Sequence, residues 1–292
     1  MLSAGLRRKI FNGVVEYMRH TRPHPGRGLL GTLAWKIYPE EIPVEIAPSV
    51  RLWIRLDRGD EIEHLTGTYE KDDEAQIFLS YLKPGMTVID IGANIGLYSL
   101  LAGKTVGSTG RVIAFEPVPE IFERLGRHIS LNGLTNILPQ RIAISDTNGT
   151  GTFFLGRTGS SGSLFRQETS RSIRVNTETL DSFLRRKEIR KVDAVKVDAE
   201  GAEMRIVRGM QRLLLSSEKP LLMFEILPPA LQPAGSSAEE IFDDIVSYGY
   251  AAFLMTRGEI RPVTRPVPPT HHGSRLYADN YLFKPAVKTL QP

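Results

Sequence analysis

Apolar and polar positions along this chain follow two periods, 3.6 and 2, that alternate through most of its length. Leu6, Ile10, Val14 and Tyr17 recur on one side of residues 3–20, which predicts an amphipathic helix docked through that stripe. The segment Arg22-Pro23-His24-Pro25-Gly26-Arg27-Gly28 then reads as a turn-rich connector. Period two takes over at Val50, Leu52, Ile54 and Leu56, which alternate with Arg51, Trp53, Arg55 and Asp57. That pattern predicts a half-buried strand, with Gly59-Asp60 turning the chain toward a partner near Ile62.

From Asp72 onward helices and strands alternate. A helix to Leu82 stops at Lys83-Pro84-Gly85, a strand follows over 86–91, and a helix over about 94–103. A strand over 111–116 leads to a helix over 119–131, whose Ile121, Leu125 and Ile129 lie four apart, and then to a strand over 137–144. Phe153-Phe154-Leu155 and Ile173-Arg174-Val175 read as strands flanking a Gly/Ser stretch that includes Gly156 and Gly159 to Ser163. This insertion suits a lid, a substrate loop or a plain hairpin. The alternation resumes with a strand at Ala194–Val197, a helix over 203–215 and a strand at Leu221–Phe224. Ser236 with Glu239 offers a capping box for a helix ending at Gly249. Tyr250–Met255 and Asn280–Phe283 read as closing strands around the Pro-rich segment 262–269. An α/β fold with a mostly parallel sheet and helices on both faces is expected.

Composition narrows the class. With 292 residues, 41% hydrophobic and 24% charged, the chain can bury a sizeable core. The absence of cysteine excludes disulfides, thiolate catalysis and Cys-ligated zinc. No apolar run reaches the roughly 18 residues that cross a bilayer, and the N-terminus lacks a signal-peptide core. A cytoplasmic protein is therefore expected, and an integral membrane protein is not. Net charge is +4, with Arg7, Arg8, Lys9, Arg19, Arg22 and Arg27 clustered early and Arg185, Arg186, Lys187, Arg190 and Lys191 later. RNA, an anionic membrane surface or an acidic substrate could meet such clusters. Because aromatics are not interleaved with them, solvated faces are the better reading; peripheral membrane contact by the first helix is the minority one.

The chemistry is concentrated in two places. Val88-Ile89-Asp90-Ile91-Gly92-Ala93-Asn94-Ile95-Gly96 is a buried strand entering a Gly-bearing turn and a helix, and Val112-Ile113-Ala114-Phe115-Glu116-Pro117 is a neighbouring strand ending in one acid. Glycines at 92 and 96 let backbone approach a ligand, and Glu116 stands where an acid can accept from both ribose hydroxyls. A dinucleotide loop would need glycine at 94; Asn94 stands there, so close approach of a pyrophosphate is disfavoured. The second place is Lys196-Val197-Asp198-Ala199-Glu200-Gly201-Ala202-Glu203, four ionisable groups at the carboxyl end of an apolar strand, where open α/β sheets bind ligands. Period two puts Lys196 and Asp198 on the same side. Glu200 and Glu203 alternatively favour the next helix's N-terminus, and Lys196 alternatively pairs with Glu225 or Glu70.

These three motifs, with Tyr69-Glu70, Asn132-x-x-x-Asn136, Thr179-Leu180-Asp181 and Glu225, resemble the FkbM-type methyltransferase family over roughly residues 68–284. The resemblance implies a class I methyltransferase fold, Rossmann-like, with a seven-stranded mostly parallel sheet whose last strand is antiparallel. Residues 1–68 would be an added helix and hairpin, a possible cap, and 69–292 the S-adenosylmethionine-dependent domain. It further implies that Glu70, Asp90, Gly92, Asn94 and Gly96 hold the cofactor, that Glu116 takes the ribose, and that Ser145 and Asp146 flank adenine.

Transfer to a hydroxyl of a small molecule, sugar or glycan is the expected reaction, with Asp198 or Glu200 as base and Lys196 positioning a carboxylate or the substrate oxygen. A divalent metal on Asp198, Glu200 and Glu225 is possible but not favoured, and His271-His272 suits a loop better than a metal site. An RNA base methyltransferase is the alternative enzyme. Asp-Ala-Glu-Gly, in place of the Asn/Asp-Pro-Pro-aromatic turn of many amino-group methyltransferases, argues against it and against nucleic acid as partner. A catalytically silent cofactor-binding module is the remaining alternative.

Overall fold

A computed structural model describes residues 3–21, 26–58, 61, 73–156, 162–165, 171–256, 258–267, 271–272, 275–276 and 279–286. The chain opens with helices α1 (Ala4–His20) and α2 (Gly26–Ile37) and an antiparallel hairpin of β1 (Ile42–Ala47) and β2 (Val50–Ile54). Ser3 caps α1 by accepting from the Leu6 N–H. Its buried stripe is Phe11, Val15 and Met18, while Leu6 and Tyr17 are 44% exposed, so the expected docking face is corrected by about a third of a turn of the helix. Both stripes have helical spacing; α2, which Gly26, Gly28 and Gly31 disguise as connector, decides between them by packing on α1. Strand β2 pairs with the preceding β1; the segment near Ile62, expected as a partner, lies outside the described residues.

The hairpin is fastened to the rest by polar contacts on one helix. After α3 (Asp73–Ser80), β3 (Thr87–Ile91), α4 (Leu97–Val106) and β4 (Arg111–Phe115) comes α5 (Pro119–Leu131). Arg124 of α5 donates to the Trp53 carbonyl at 2.9 Å and pairs with Glu61 at 2.8 Å and Glu41 at 2.5 Å. Asn132 exchanges two hydrogen bonds with the Arg51 backbone, at 2.8 and 2.7 Å. Phe11, Val15, Met18 and Ala34 join Val88, Leu100 and Val112 in one continuous core.

The remaining elements are β5 (Ile137–Gln140), β6 (Ala143–Ile144), β7 (Gly149–Leu155), β8 (Gly162–Ser163), β9 (Ser172–Glu178), α6 (Leu180–Arg186), β10 (Ala194–Val197), α7 (Glu203–Gly209), α8 (Gln211–Leu214), β11 (Leu221–Ile226), α9 (Ala238–Ser247), β12 (Tyr250–Thr256), β13 (Glu259–Val263), the short pair β14 (His271–His272) and β15 (Arg275–Leu276), and β16 (Asp279–Pro285). The main sheet runs β13-β12-β16-β11-β10-β3-β4-β5. Strands β5, β4, β3, β10 and β11 are parallel, and β16 lies antiparallel between β11 and β12. Seven strands thus have the class I methyltransferase order expected, and β13 adds an eighth at the edge.

Sequence and structure differ elsewhere for local reasons. The strand expected over 137–144 divides, since β6 leaves the main sheet to pair with β9 in a second sheet ordered β6-β9-β7-β8. The helix expected over 203–215 breaks at Met210, whose φ of −126° is not helical. The capping box is Ser237 with Glu240, one residue beyond the expected pair, and the Ser236 hydroxyl is buried with no hydrogen-bond partner among the described residues.

Candidate functional site

Strict alternation across β3 and β10 sorts side chains onto two faces. Ile89, Ile91, Val195 and Val197 enter one core, while Val88 and Ala194 enter the other. Asp90 and Lys196 share the face of Val88 and Ala194 and stand directly opposite each other in the β3–β10 register. Both are buried, at 2% and 3% exposure, so a charged row lies across the middle of the sheet.

The first motif builds a compact loop between β3 and α4. Gly92 and Ala93 donate their N–H groups to the Phe115 carbonyl at 3.0 and 2.9 Å. Gly92, Asn94 and Gly96 have φ values of +79°, +51° and +101°. A Cβ on residue 92 would sit 1.8 Å from the Asp198 carbonyl oxygen, so glycine there lets the two motifs touch. Asp90 Oδ2 accepts from the Ser99 hydroxyl at 2.6 Å, and Oδ1 is buried with no hydrogen-bond partner among the described residues. Burial raises the Asp90 pKa and Asp198 adds to this, against Lys196 and Ser99.

Glu116 closes the loop from the neighbouring strand. Its oxygens accept from Val118 N–H at 2.8 Å and Asn94 N–H at 3.1 Å. Burial nevertheless lifts its pKa to about 7. Beneath the loop, His128 lies with Nδ1 2.7 Å from the Ile95 carbonyl and Nε2 3.3 Å from the Trp53 carbonyl. Burial brings its pKa down to about 4, so the ring is neutral near pH 7 and donates to one of these carbonyls at a time. The cofactor-type loop and the N-terminal hairpin therefore meet at this imidazole.

A cavity partly open to solvent lies against these residues, with about 620 Å³ of atom-free space when the open solvent at its mouth is included. Gly92, Asn94, Glu116, Asp198 and Glu200 line it, bringing five of the expected site residues together. Ile142, Ala143 and Ile144 form one apolar wall, and Phe153 and Leu164 extend it from the second sheet and the segment after β8. Neither was expected at the site: Phe153 fell in an expected strand without a sign of which face would meet the cavity, and Leu164 fell in no expected element. Ser145 and Asp146 stand beside the wall rather than in it: the Ser145 hydroxyl donates to Asp146 at 3.1 Å. Asp90, Gly96 and Lys196 are not among the lining residues. Glu70 lies outside the described residues.

The second motif lines the cavity with Asp198, Ala199, Glu200 and Ala202. Lys196 pairs with Asp198 at 3.2 Å, not with Glu225 as its direct partner, and its ammonium lies 4.5 Å from the Tyr98 ring centroid. Burial alone would pull the Lys196 pKa down; Asp198, Asp90 and Glu225 hold it above its usual range instead. Lys196 is thus a proton-holding cation, while the Asp198 side chain is 34% exposed at the cavity. Glu203 accepts from Ala199 N–H at 3.2 Å and Gly201 N–H at 3.1 Å, clasping the turn. Glu200, between them, has a φ of +46°.

Three residues beyond the motifs complete the polar row. Glu225 on β11 faces Asn280 on β16, and Asn280 donates to Glu74 of α3 at 2.8 Å. The Asp198 charge, and then burial, push the Glu225 pKa up to about 8 against the pull of Lys196. Among the described residues no group of three or more His, Asp or Glu side chains is placed to hold a metal ion, the Asp198, Glu200 and Glu225 set included. No helix among them is long and apolar enough to cross a membrane.

Other motif residues act as caps. Asn136 donates to the Gly103 and Gly107 carbonyls at the end of α4, and Asp181 accepts from Arg212 and Leu213 N–H at the start of α8. Asn132 is bound to the Arg51 backbone, so both asparagines of the Asn132-x-x-x-Asn136 segment are engaged structurally.

Comparison with known proteins gives the relationship. Hexuronic acid methyltransferase AglP of Haloferax volcanii is 27% identical over 157 residues, covering 54% of this chain and 63% of its own length. Ribosomal RNA large subunit methyltransferase E of Acinetobacter baumannii is 52% identical over 89 residues, 26% of this chain and 38% of its own. A solved SAM-dependent O-methyltransferase from Thermotoga maritima aligns over 76% of this chain and 67% of its own, with 16% identity and a TM-score of 0.40. The chain spans about three fifths of the length of the first curated relatives. The family model for the methyltransferase FkbM domain matches residues 90–251, more than half of the chain, and the protein belongs to that family.

Proposed function

We propose that this protein is an S-adenosylmethionine-dependent methyltransferase acting on a hydroxyl oxygen of a small molecule or sugar. The observation that carries this reading is the position of Asp198: a carboxylate lining the cavity that Glu116 also lines, and paired with a buried lysine.

The residues fit the cofactor. Glu116 can accept from a ribose diol, the buried unpartnered Oδ1 of Asp90 suits an ammonium group, and Ile142, Ile144, Phe153 and Leu164 suit a flat aromatic base. When bound, S-adenosylmethionine supplies an electrophilic sulfonium methyl. The protein then has to align an oxygen and accept its proton. In this reading Asp198 would take the proton that the acceptor oxygen gives up on methylation. Glu200, lining the same cavity, is the second candidate base, and Lys196 fixes Asp198 rather than titrating. The hexuronic acid methyltransferase relative supports a sugar acceptor.

The test is a parallel assay of Asp198→Asn and Glu200→Gln, with methyl transfer measured against hydroxylated acceptors and cofactor affinity by calorimetry. Asp198→Asn is expected to lose turnover at least about 100-fold with nearly intact cofactor affinity. Full activity in Asp198→Asn with loss in Glu200→Gln would move the base to Glu200. Methylation of RNA in preference to hydroxylated metabolites would displace the reading.

A further inference from the structure

Helix α2 carries an apolar stripe on the side away from the core. Arg27, Gly31 and Ala34 face inward, and Arg27 donates to the Met18 carbonyl at 2.7 Å, tying α2 to α1. Leu29, Leu33 and Lys36 follow one another at helical spacing on the opposite side, with Leu30 beside them. Leu29 is 66% exposed and Leu33 47%. On α1, Leu6 and Tyr17 are also outward and lie three turns apart, hence on one line.

Lys36 stands on that side of α2, and α1 carries further exposed cations, of which Arg8 and Arg19 lie on the other side of the helix from Leu6 and Tyr17. Arg8, Lys9, Arg19 and Lys36 are exposed on the same two helices. The one acid in residues 3–37, Glu16, lies 3.4 Å from His20. A single exposed leucine is ordinary, but three on one helix face with basic neighbours match a surface that lies in a lipid headgroup layer. A second copy of the chain would bring two basic N-terminal segments together, whereas an anionic bilayer offers both an apolar interior and opposite charge.

We propose that α2, with α1 beside it, docks this protein on anionic membrane surfaces, with Leu29 and Leu33 entering the headgroup boundary, Lys36 meeting lipid phosphates and the exposed cations of α1 adding to the attraction. The site uses no residue of the cavity, so its failure and failure of the methyl-transfer reading are separable.

The full chain is sedimented with vesicles of phosphatidylcholine alone or phosphatidylcholine mixed with phosphatidylserine, at low and high salt. Binding is expected to be at least about tenfold stronger to the anionic vesicles, and to weaken with salt. Leu29→Ser/Leu33→Ser should lose about tenfold or more, while circular dichroism and S-adenosylmethionine affinity stay unchanged. Equal or no binding to both vesicles, or undiminished binding by the double variant, overturns the proposal. So does a dimer in sedimentation velocity, without lipid, that the double variant abolishes.

Discussion

The Glu116 carboxylate accepts the backbone N–H of Asn94 at 3.1 Å, across 22 residues of sequence, so the glycine-bearing loop and the acid of the next strand are one unit. Burial lifts this acid from an ordinary 4.5 to about 7. A ribose diol donates to the ionised form, so S-adenosylmethionine affinity should rise as pH increases through about 7, with proton release on binding below it. Calorimetry in two buffers of different ionisation enthalpy measures that release. Glu116→Gln should weaken binding by roughly 10- to 100-fold, as expected for loss of charge-assisted bonds, and flatten the pH dependence. A variant that keeps the wild-type slope would take Glu116 out of the ribose site.

Contact between the two motifs is set by a missing side chain. The Cβ of Gly92→Ala would press on the Asp198 carbonyl oxygen while occupying a backbone conformation with φ of +79°. Overpacking and strain together should cost roughly 2–4 kcal/mol in denaturant unfolding. Turnover should fall further than cofactor affinity, because the displaced backbone is that of the proposed base. Stability within about 0.5 kcal/mol of wild type would show that the 198–200 turn yields freely.

What the sequence revealed, and what it hid, divides by distance along the chain. The β3 loop, Glu116 and the Lys196–Glu203 segment were legible because each is a local pattern at a strand's carboxyl end, and alternation correctly put Lys196 and Asp198 on one side. The inward face of α1 was not, because Phe11, Val15 and Met18 compete with Leu6, Ile10 and Tyr17 at the same spacing and only the packing of α2 chooses. The row from Glu74 to Asn280 was out of reach for a stronger reason: its hydrogen bond joins residues 206 apart, and β16 must be inserted between β11 and β12 to bring them together.

Glu200 holds a left-handed backbone, φ +46°, that costs a non-glycine residue about 1–2 kcal/mol. Glu200→Gly should therefore fold at least as stably as wild type, whereas Glu200→Val should lose about 1 kcal/mol or more in thermal or denaturant unfolding. Turnover in Glu200→Gly separates the side chain from the conformation. A drop with unchanged cofactor affinity would assign the carboxylate to the acceptor side of the cavity; unchanged turnover would leave it a turn residue.

The charges around Lys196 titrate as a group. Glu225 is raised from 4.5 to about 8, mainly by the Asp198 charge and then by burial, with Lys196 opposing. A raised carboxyl pKa means that the folded chain keeps a proton the unfolded chain releases, so this stability contribution is complete below about 4.5 and is lost as pH rises through about 8. Asp198→Asn removes the main cause, and the Glu225 carboxyl resonance in carbon-13 NMR should then titrate at a lower pH. Lys196→Met should do the reverse and destabilise by about 3–5 kcal/mol near neutral pH, because the surrounding carboxylates lose their buried counterion. Combining it with Asp198→Asn should restore part of that loss, since one unpaired charge goes with its partner. Strict additivity in the double variant, with an unmoved Glu225 titration, would show that the 3.2 Å pair is not what organises the row.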